Sequence, residues 1–118
     1  MTTALVINTD SSYYCLQLGE NSLQQFQEVV GGWIDAVRAE DFVGYVNDEG
    51  LLIGLDYNPV ASALFGQTLV GNVAVVGAFD SNGVYDGENH DVPARVIGQV
   101  AQFHAVQSLI NEMLGSAR

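Results

Sequence analysis

Apolar, β-branched positions open the chain. Ala4-Leu5-Val6-Ile7 is followed, after the turn-forming Asn8-Thr9-Asp10-Ser11-Ser12, by Tyr13-Tyr14-Cys15-Leu16-Gln17-Leu18, and the pair predicts a hairpin. Past Gly19-Glu20, Asn21 is placed to cap a short helix, with Gln24 at the capping-box position and Leu23, Phe26 and Val30 spaced for one buried face. Gly31-Gly32 stops that helix. From Trp33 to Ala39 the pattern alternates as in a strand, with Trp33, Asp35, Val37 and Ala39 on one side and Ile34, Ala36 and Arg38 on the other.

Phe42-Val43-Gly44-Tyr45-Val46 and Leu51-Leu52-Ile53-Gly54-Leu55 flank Asn47-Asp48-Glu49-Gly50, which predicts a second hairpin whose turn uses a positive φ at Gly50. Asn58-Pro59 signals entry into a short helix ending at Gly66. The run from Thr68 to Gly77 reads as a strand buried on both faces near the sheet centre, with a bulge at Gly71. Asp80 to Val92 reads as a polar loop. Pro93 opens a long helix in which Val96, Val100, Phe103, Ile110 and Met113 or Leu114 recur at helical spacing, and which is expected to pack across the sheet.

Strands linked by short turns favour antiparallel pairing. The expected class is α+β: a two-layer sandwich with a mixed, mostly antiparallel sheet of about five or six strands, backed by two short helices and one long C-terminal helix. A single domain is expected over 1–118, divided into a sheet core (1–79), an acidic loop (80–92) and the helix (93–118).

Composition narrows the function classes. The 118 residues are 48% apolar, enough for one hydrophobic core without disulfides or a structural metal. A lone Cys15 excludes an intrachain bridge and a thiolate zinc cluster, and its apolar strand suggests a small, inert hydrophobe in a reducing compartment. Asp and Glu total 14 against 3 Lys and Arg, a net charge of −11 that arises from a shortage of cations. Arg38, Arg95 and Arg118 cannot build the basic footprint that phosphate neutralisation needs, so direct nucleic-acid binding is not expected. The carboxylates are too sparse for DNA mimicry. No secretory signal opens the chain, and the uncharged run Thr68–Phe79 is too short to cross a bilayer, so a cytoplasmic location without membrane contact is expected.

Candidate chemistry is sparse. The loop from Asp80 to Asp91 holds four carboxylates, yet Val84 and Tyr85 occupy the fifth and sixth places of a calcium loop, where an oxygen ligand and a glycine belong; no metal ligands are assigned. His90 and His104 are the groups suited to proton transfer near neutrality, but neither has a nucleophile signature beside it. His104 is expected to be structural and His90 solvated. With no lysine there is no phosphate-binding loop of the GxxxxGK type. Arg38 or Arg95 beside Trp33, Tyr45 or Tyr57 would suit a nucleotide-like anion. The competing account has Trp33 anchoring the core and Arg38 pairing with Glu40 or Asp35.

The order of four motifs carries a family resemblance. Val29-Val30-Gly31-Gly32-Trp33-Ile34-Asp35, Asn47-Asp48-Glu49-Gly50, Asn58-Pro59-Val60-Ala61-Ser62-Ala63-Leu64 and Leu69-Val70-Gly71-Asn72-Val73-Ala74-Val75-Val76-Gly77 resemble domain-of-unknown-function family 3846, whose members occur largely in phages and in bacterial genomes with mobile elements. The resemblance spans Ala4 to Gly77, and it implies no catalytic residue and no cofactor.

Three functions follow as expectations. The first is a non-enzymatic acidic binding protein of phage or mobile-element origin that contacts a basic surface on a host protein, as in counter-defence, with Asp80, Asp86, Glu88 and Asp91 as candidate contacts. The second is a binder or sequesterer of a small anion that uses Trp33, Arg38 and Arg95. The third is a metal-dependent hydrolase built on the loop carboxylates. The terminal helix carries an apolar stripe broad enough for a homodimer, or for ordinary packing on the sheet.

Overall fold

The computed structural model describes residues 2–80 and 82–116; Ser81, Arg118 and the end of the predicted helix beyond Ser116 lie outside the described residues. Nine elements follow one another: β1 (Thr2–Ile7), β2 (Tyr13–Leu18), α1 (Ser22–Val30), β3 (Ile34–Arg38), β4 (Phe42–Asn47), α2 (Pro59–Phe65), β5 (Val73–Phe79), β6 (Tyr85–His90) and α3 (Ala94–Ser116). The strands form a six-stranded sheet in the order β2-β1-β5-β4-β3, with β6 also on β5. All named pairings are antiparallel, so the α+β class holds and the expected parallel admixture is absent from them.

β5 is the central strand because its side chains are apolar on both faces. Val73 and Val75 face a cluster with Leu5, Ile7, Val60, Val96 and Val100, whereas Ala74, Val76 and Ala78 face a second with Ala4, Leu18, Phe26 and Val43. Each face therefore needs a cover. α2 and α3 cover the first and α1 the second, which makes three layers where two were expected.

β1 and β6 share one edge of β5. β1 pairs along Val73–Val75, and β6 takes over from Gly77. At the junction Val92 N–H donates to the Thr3 carbonyl at 2.9 Å, and Asp91 Oδ1 accepts from Thr3 N–H at 2.7 Å. Space is tight here: a Cβ on Gly77 would stand 2.3 Å from the Asp91 carbonyl oxygen. The segment read as a polar loop thus contains an edge strand, whose backbone groups satisfy the part of β5 that β1 leaves open.

Two other expectations shift for local reasons. Gly71 adopts φ 76° and donates its N–H to the Asp56 carbonyl at 2.7 Å, so it turns the chain before β5 instead of bulging within it. The irregularity in the ladder lies between Gly77 and Phe79. On α1, Phe26 and Val30 are buried but Leu23 is exposed, and Asn21 makes no side-chain cap. Gln25 ties the start of α1 back to the end of β2 by other bonds, accepting from Gly19 N–H at 2.8 Å and donating to the Gln17 carbonyl at 3.0 Å.

Asn58 caps α2 as its sequence predicts and does more. Its Oδ1 accepts from Ala61 N–H at 3.0 Å, while Nδ2 donates to the carbonyls of Ile7 (3.0 Å) and Gly71 (2.9 Å). One fully buried amide therefore joins β1, α2 and the approach to β5.

α3 crosses the sheet only with its first half. Val96 and Val100 are fully buried, and His104 Nδ1–H donates to the Ser11 carbonyl at 2.5 Å with its ring edge-on to Tyr13. That is the structural role expected of His104. Beyond it the helix leaves the sheet, and the molecule measures 50 × 31 × 22 Å.

Candidate protein-docking site

β4 ends at Asn47 with both its edges occupied, by β3 on one side and β5 on the other. No slot remains for Leu51–Leu55 as a strand, and the predicted second hairpin does not form. Asn47 Oδ1 instead accepts from Glu49 N–H at 2.8 Å, while its Nδ2 donates to the Val30 carbonyl at 3.1 Å. The chain then coils on itself, with Ile53 N–H on the Glu49 carbonyl (3.0 Å) and Leu55 N–H on the Gly50 carbonyl (2.9 Å). Gly50 serves close packing and not a positive φ, because a Cβ there would lie 2.9 Å from Val70 Cγ2.

The result is an apolar knob. Leu51, Leu52 and Ile53 are 78%, 87% and 55% exposed. Trp33 abuts the same turn, its carbonyl accepting from Asp48 N–H at 3.0 Å, and its side chain is 71% exposed. It does not anchor the core. A cleft of about 370 Å³ runs beside the knob, lined by Leu51, Leu52 and Val70 together with Asp35, Asp48 and Glu49. Trp33 and Glu28 border a separate groove with Gln24, Gln27 and Gly32. Apolar surface at the centre and carboxylates around it give this end of the sheet its character.

The residues singled out in the sequence are placed differently. Asp80 Oδ1 accepts from the N–H groups of Asn82 and Val84, both at 2.9 Å, and Asp91 holds Thr3, so both carboxylates are engaged in holding the backbone. Asp86 accepts from His90 Nε2–H at 2.8 Å, which makes His90 an ion-pair partner and not merely a solvated ring. That hydrogen bond, with the charges of Asp86, Asp80 and Glu88, raises the His90 pKa above its ordinary 6.5 against a smaller desolvation effect. The same bond, aided by Glu88 N–H, lowers that of Asp86. Glu88 is exposed. No three or more His, Cys, Asp or Glu among the described residues are grouped to hold a metal ion.

Trp33, Arg38 and Arg95 do not converge. The Arg38 guanidinium lies 5.6 Å from the Tyr85 ring centroid, beneath the β6 arch, where Tyr45 donates its hydroxyl to Asn89 Oδ1 at 2.7 Å. Burial raises the Tyr45 pKa. Arg95 pairs with Asp41 and lies 5.7 Å from the Phe42 ring centroid, on the α3 side of the sheet. Cys15 is exposed on the edge strand β2 and is not packed as a core hydrophobe.

Knob and fold together define a small α+β domain with an antiparallel sheet enclosed by helices and an acid-rimmed apolar end. The chain belongs to the family described as domain of unknown function DUF3846, whose model matches residues 1–102 and so extends past the region where the motifs lie into α3. No curated protein matches its sequence. Among solved structures it is similar to one described as the crystal structure of small RNA methyltransferase HEN1, with TM-score 0.52 and 17% identity over 85% of this chain. The chain spans 16% of that protein, and the likeness is one of fold alone. No helix among the described residues is long and apolar enough to cross a membrane.

Proposed function

We propose that this chain is a non-enzymatic binding protein that docks, through the end formed by Trp33 and the 48–53 turn, on a protein surface with an apolar centre and a basic surround. The observation that carries this reading is the outward placement of Leu51, Leu52 and Ile53, with exposed Trp33 joined to the same turn through its carbonyl and Asp48 N–H. These side chains contribute little burial to the fold, and a cluster of this kind with a polar rim is what binding surfaces present. Asp35, Asp48 and Glu49 in the adjoining cleft supply the sign: a basic partner gains both steering and complementarity from a chain of net charge −11.

The setting is a reducing cytoplasm, which an exposed free thiol at Cys15 suits. A phage or mobile-element gene acting on a host protein, as in counter-defence, is the biological frame. Anion sequestration has less support, because Arg38 and Arg95 lie apart, and so does a metal-dependent hydrolase, because the loop carboxylates hold backbone N–H groups and His90.

The test is site-specific photo-crosslinking in producing cells, with p-benzoylphenylalanine replacing Leu52 in one sample and Asp86 in another. A discrete protein adduct is expected from position 52 and none from position 86. Adducts from 86 alone, or from neither, would overturn the assignment.

A further inference from the structure

The distal half of α3 presents a second apolar surface, which the proposed docking end does not use. Val106, Leu109, Ile110, Met113 and Leu114 are 44–64% exposed, and they recur at i, i+3, i+4, i+7 and i+8. That spacing gathers them on one helical face. In the proximal half Val96 and Val100 are buried against the sheet, and Ile110 and Leu114 continue the same side of the helix beyond the part that the sheet covers. The helix thus packs on its own core with its first half and leaves the apolar side chains of its distal half exposed.

We propose that this stripe is a self-association surface, through which two copies of the chain pair by the distal halves of α3. Charge selects the occupant. From 103 to 116 the sequence holds one Asp, Glu, Lys or Arg residue, Glu112, which falls off the stripe. Elsewhere a chain of net charge −11 repels its own copy, so this nearly uncharged helix is where two copies meet at least electrostatic cost. The same absence of Lys and Arg makes the stripe unlike a membrane-surface helix, whose polar face is cationic. It also lacks the carboxylate rim that favours a basic partner at the Trp33 end.

The length of the molecule helps, because the helix projects from the body and lets the acidic sheets stand apart. Two such stripes bury on the order of 1,000 Å² in total, at the lower limit of a specific interface, which fits a weak, reversible dimer.

Sedimentation equilibrium of the full chain from about 1 to 500 μM tests this directly. The wild type is expected to shift from monomer to dimer mass across that range, and more readily as salt is raised, because screening weakens the repulsion between bodies. Leu109→Ser with Met113→Ser changes exposed positions only, and should stay monomeric throughout with an unchanged circular dichroism spectrum. Leu51→Ser with Leu52→Ser should dimerise as the wild type does. A wild type that remains monomeric at every concentration, or a dimer that survives in the α3 variant, would overturn the proposal. A dimer lost only in the Leu51/Leu52 variant would overturn it too, by assigning the contact to the other patch.

Discussion

The two exposed apolar surfaces of this protein differ in what surrounds them. Leu51 and Leu52 share a cleft with Asp35, Asp48 and Glu49, whereas the stripe from Val106 to Leu114 has one carboxylate on its helix segment and no cation. Apolar area alone would make them equivalent. Their electrostatic surroundings separate them, so salt should weaken docking at the first and strengthen pairing at the second. A shared apolar chemistry can serve two partners of opposite salt response.

The sharpest structural break in that comparison is Asn58→Ala. It leaves Ala61 N–H and the carbonyls of Ile7 and Gly71 without their partner in the core, and Asn58 N–H itself holds the Leu69 carbonyl beneath the acidic cleft. Urea unfolding should show a loss of about 3 kcal/mol, the penalty of several unsatisfied buried groups. Leu51→Ser with Leu52→Ser and Ile53→Ser should instead leave stability within about 0.5 kcal/mol per site, yet lower affinity for the cross-linked partner by about 100-fold in a titration. The α3 variant should leave that affinity unchanged.

Within α3 the same contrast recurs on a smaller scale. Val100→Ala removes methyl groups from a fully buried position and should cost about 2 kcal/mol, while Leu109→Ala at an exposed one should change monomer unfolding by less than about 0.5 kcal/mol.

The smallest effect is expected from the His90–Asp86 pair, which touches neither surface. Because folding raises the His90 pKa, its contribution is fully present below the unfolded value of 6.5 and fades as pH climbs through the higher folded value. Because folding lowers that of Asp86, the contribution is also lost on the acid side, below the ordinary 3.8 and through the depressed folded value. Thermal melts of wild type and His90→Gln should therefore differ most between these limits, and should converge at alkaline pH.

Much of the fold was legible because local signals and burial agreed. The first hairpin, the β3 alternation, the Asn58-Pro59 cap and the start of α3 all formed where their residues pointed. The two largest departures, at 51–55 and at 85–90, share one physical origin, which is competition for strand edges. Leu51-Leu52-Ile53-Gly54-Leu55 and Val73-Ala74-Val75-Val76-Gly77 look alike in composition, yet the second took the centre of the sheet and the first was left outside. Nothing local to the first records that β4 already has two neighbours. Conversely, the acidic stretch became β6 because β5 had an unpaired length beyond β1, and polar residues serve an edge strand as well as a loop.

The exposed apolar residues at 51–53 are hidden in the sequence by the same resemblance to a strand. As a strand, Leu51–Ile53 would be core, and the conspicuous charges of Asp80, Asp86 and Asp91 instead hold Asn82, Val84, His90 and Thr3. The turn itself is legible in Asn47-Asp48-Glu49-Gly50, and Asn47 makes it with Glu49 N–H, but nothing local records that the chain goes on coiling through Leu55 in place of returning as a strand. The Trp33 ring suits either anion stacking or a core anchor in the sequence, and its exposure, with its carbonyl on Asp48 N–H, is visible only in the fold.

The most direct test is the salt dependence of partner affinity, measured for the wild type and for the variant Asp35→Asn with Asp48→Asn and Glu49→Gln. Docking of the acid-rimmed knob on a basic surface predicts that wild-type affinity falls steeply between about 50 and 500 mM salt, and that the variant binds more weakly with a flattened slope. Equal slopes for the two proteins, or an affinity that rises with salt, would contradict it.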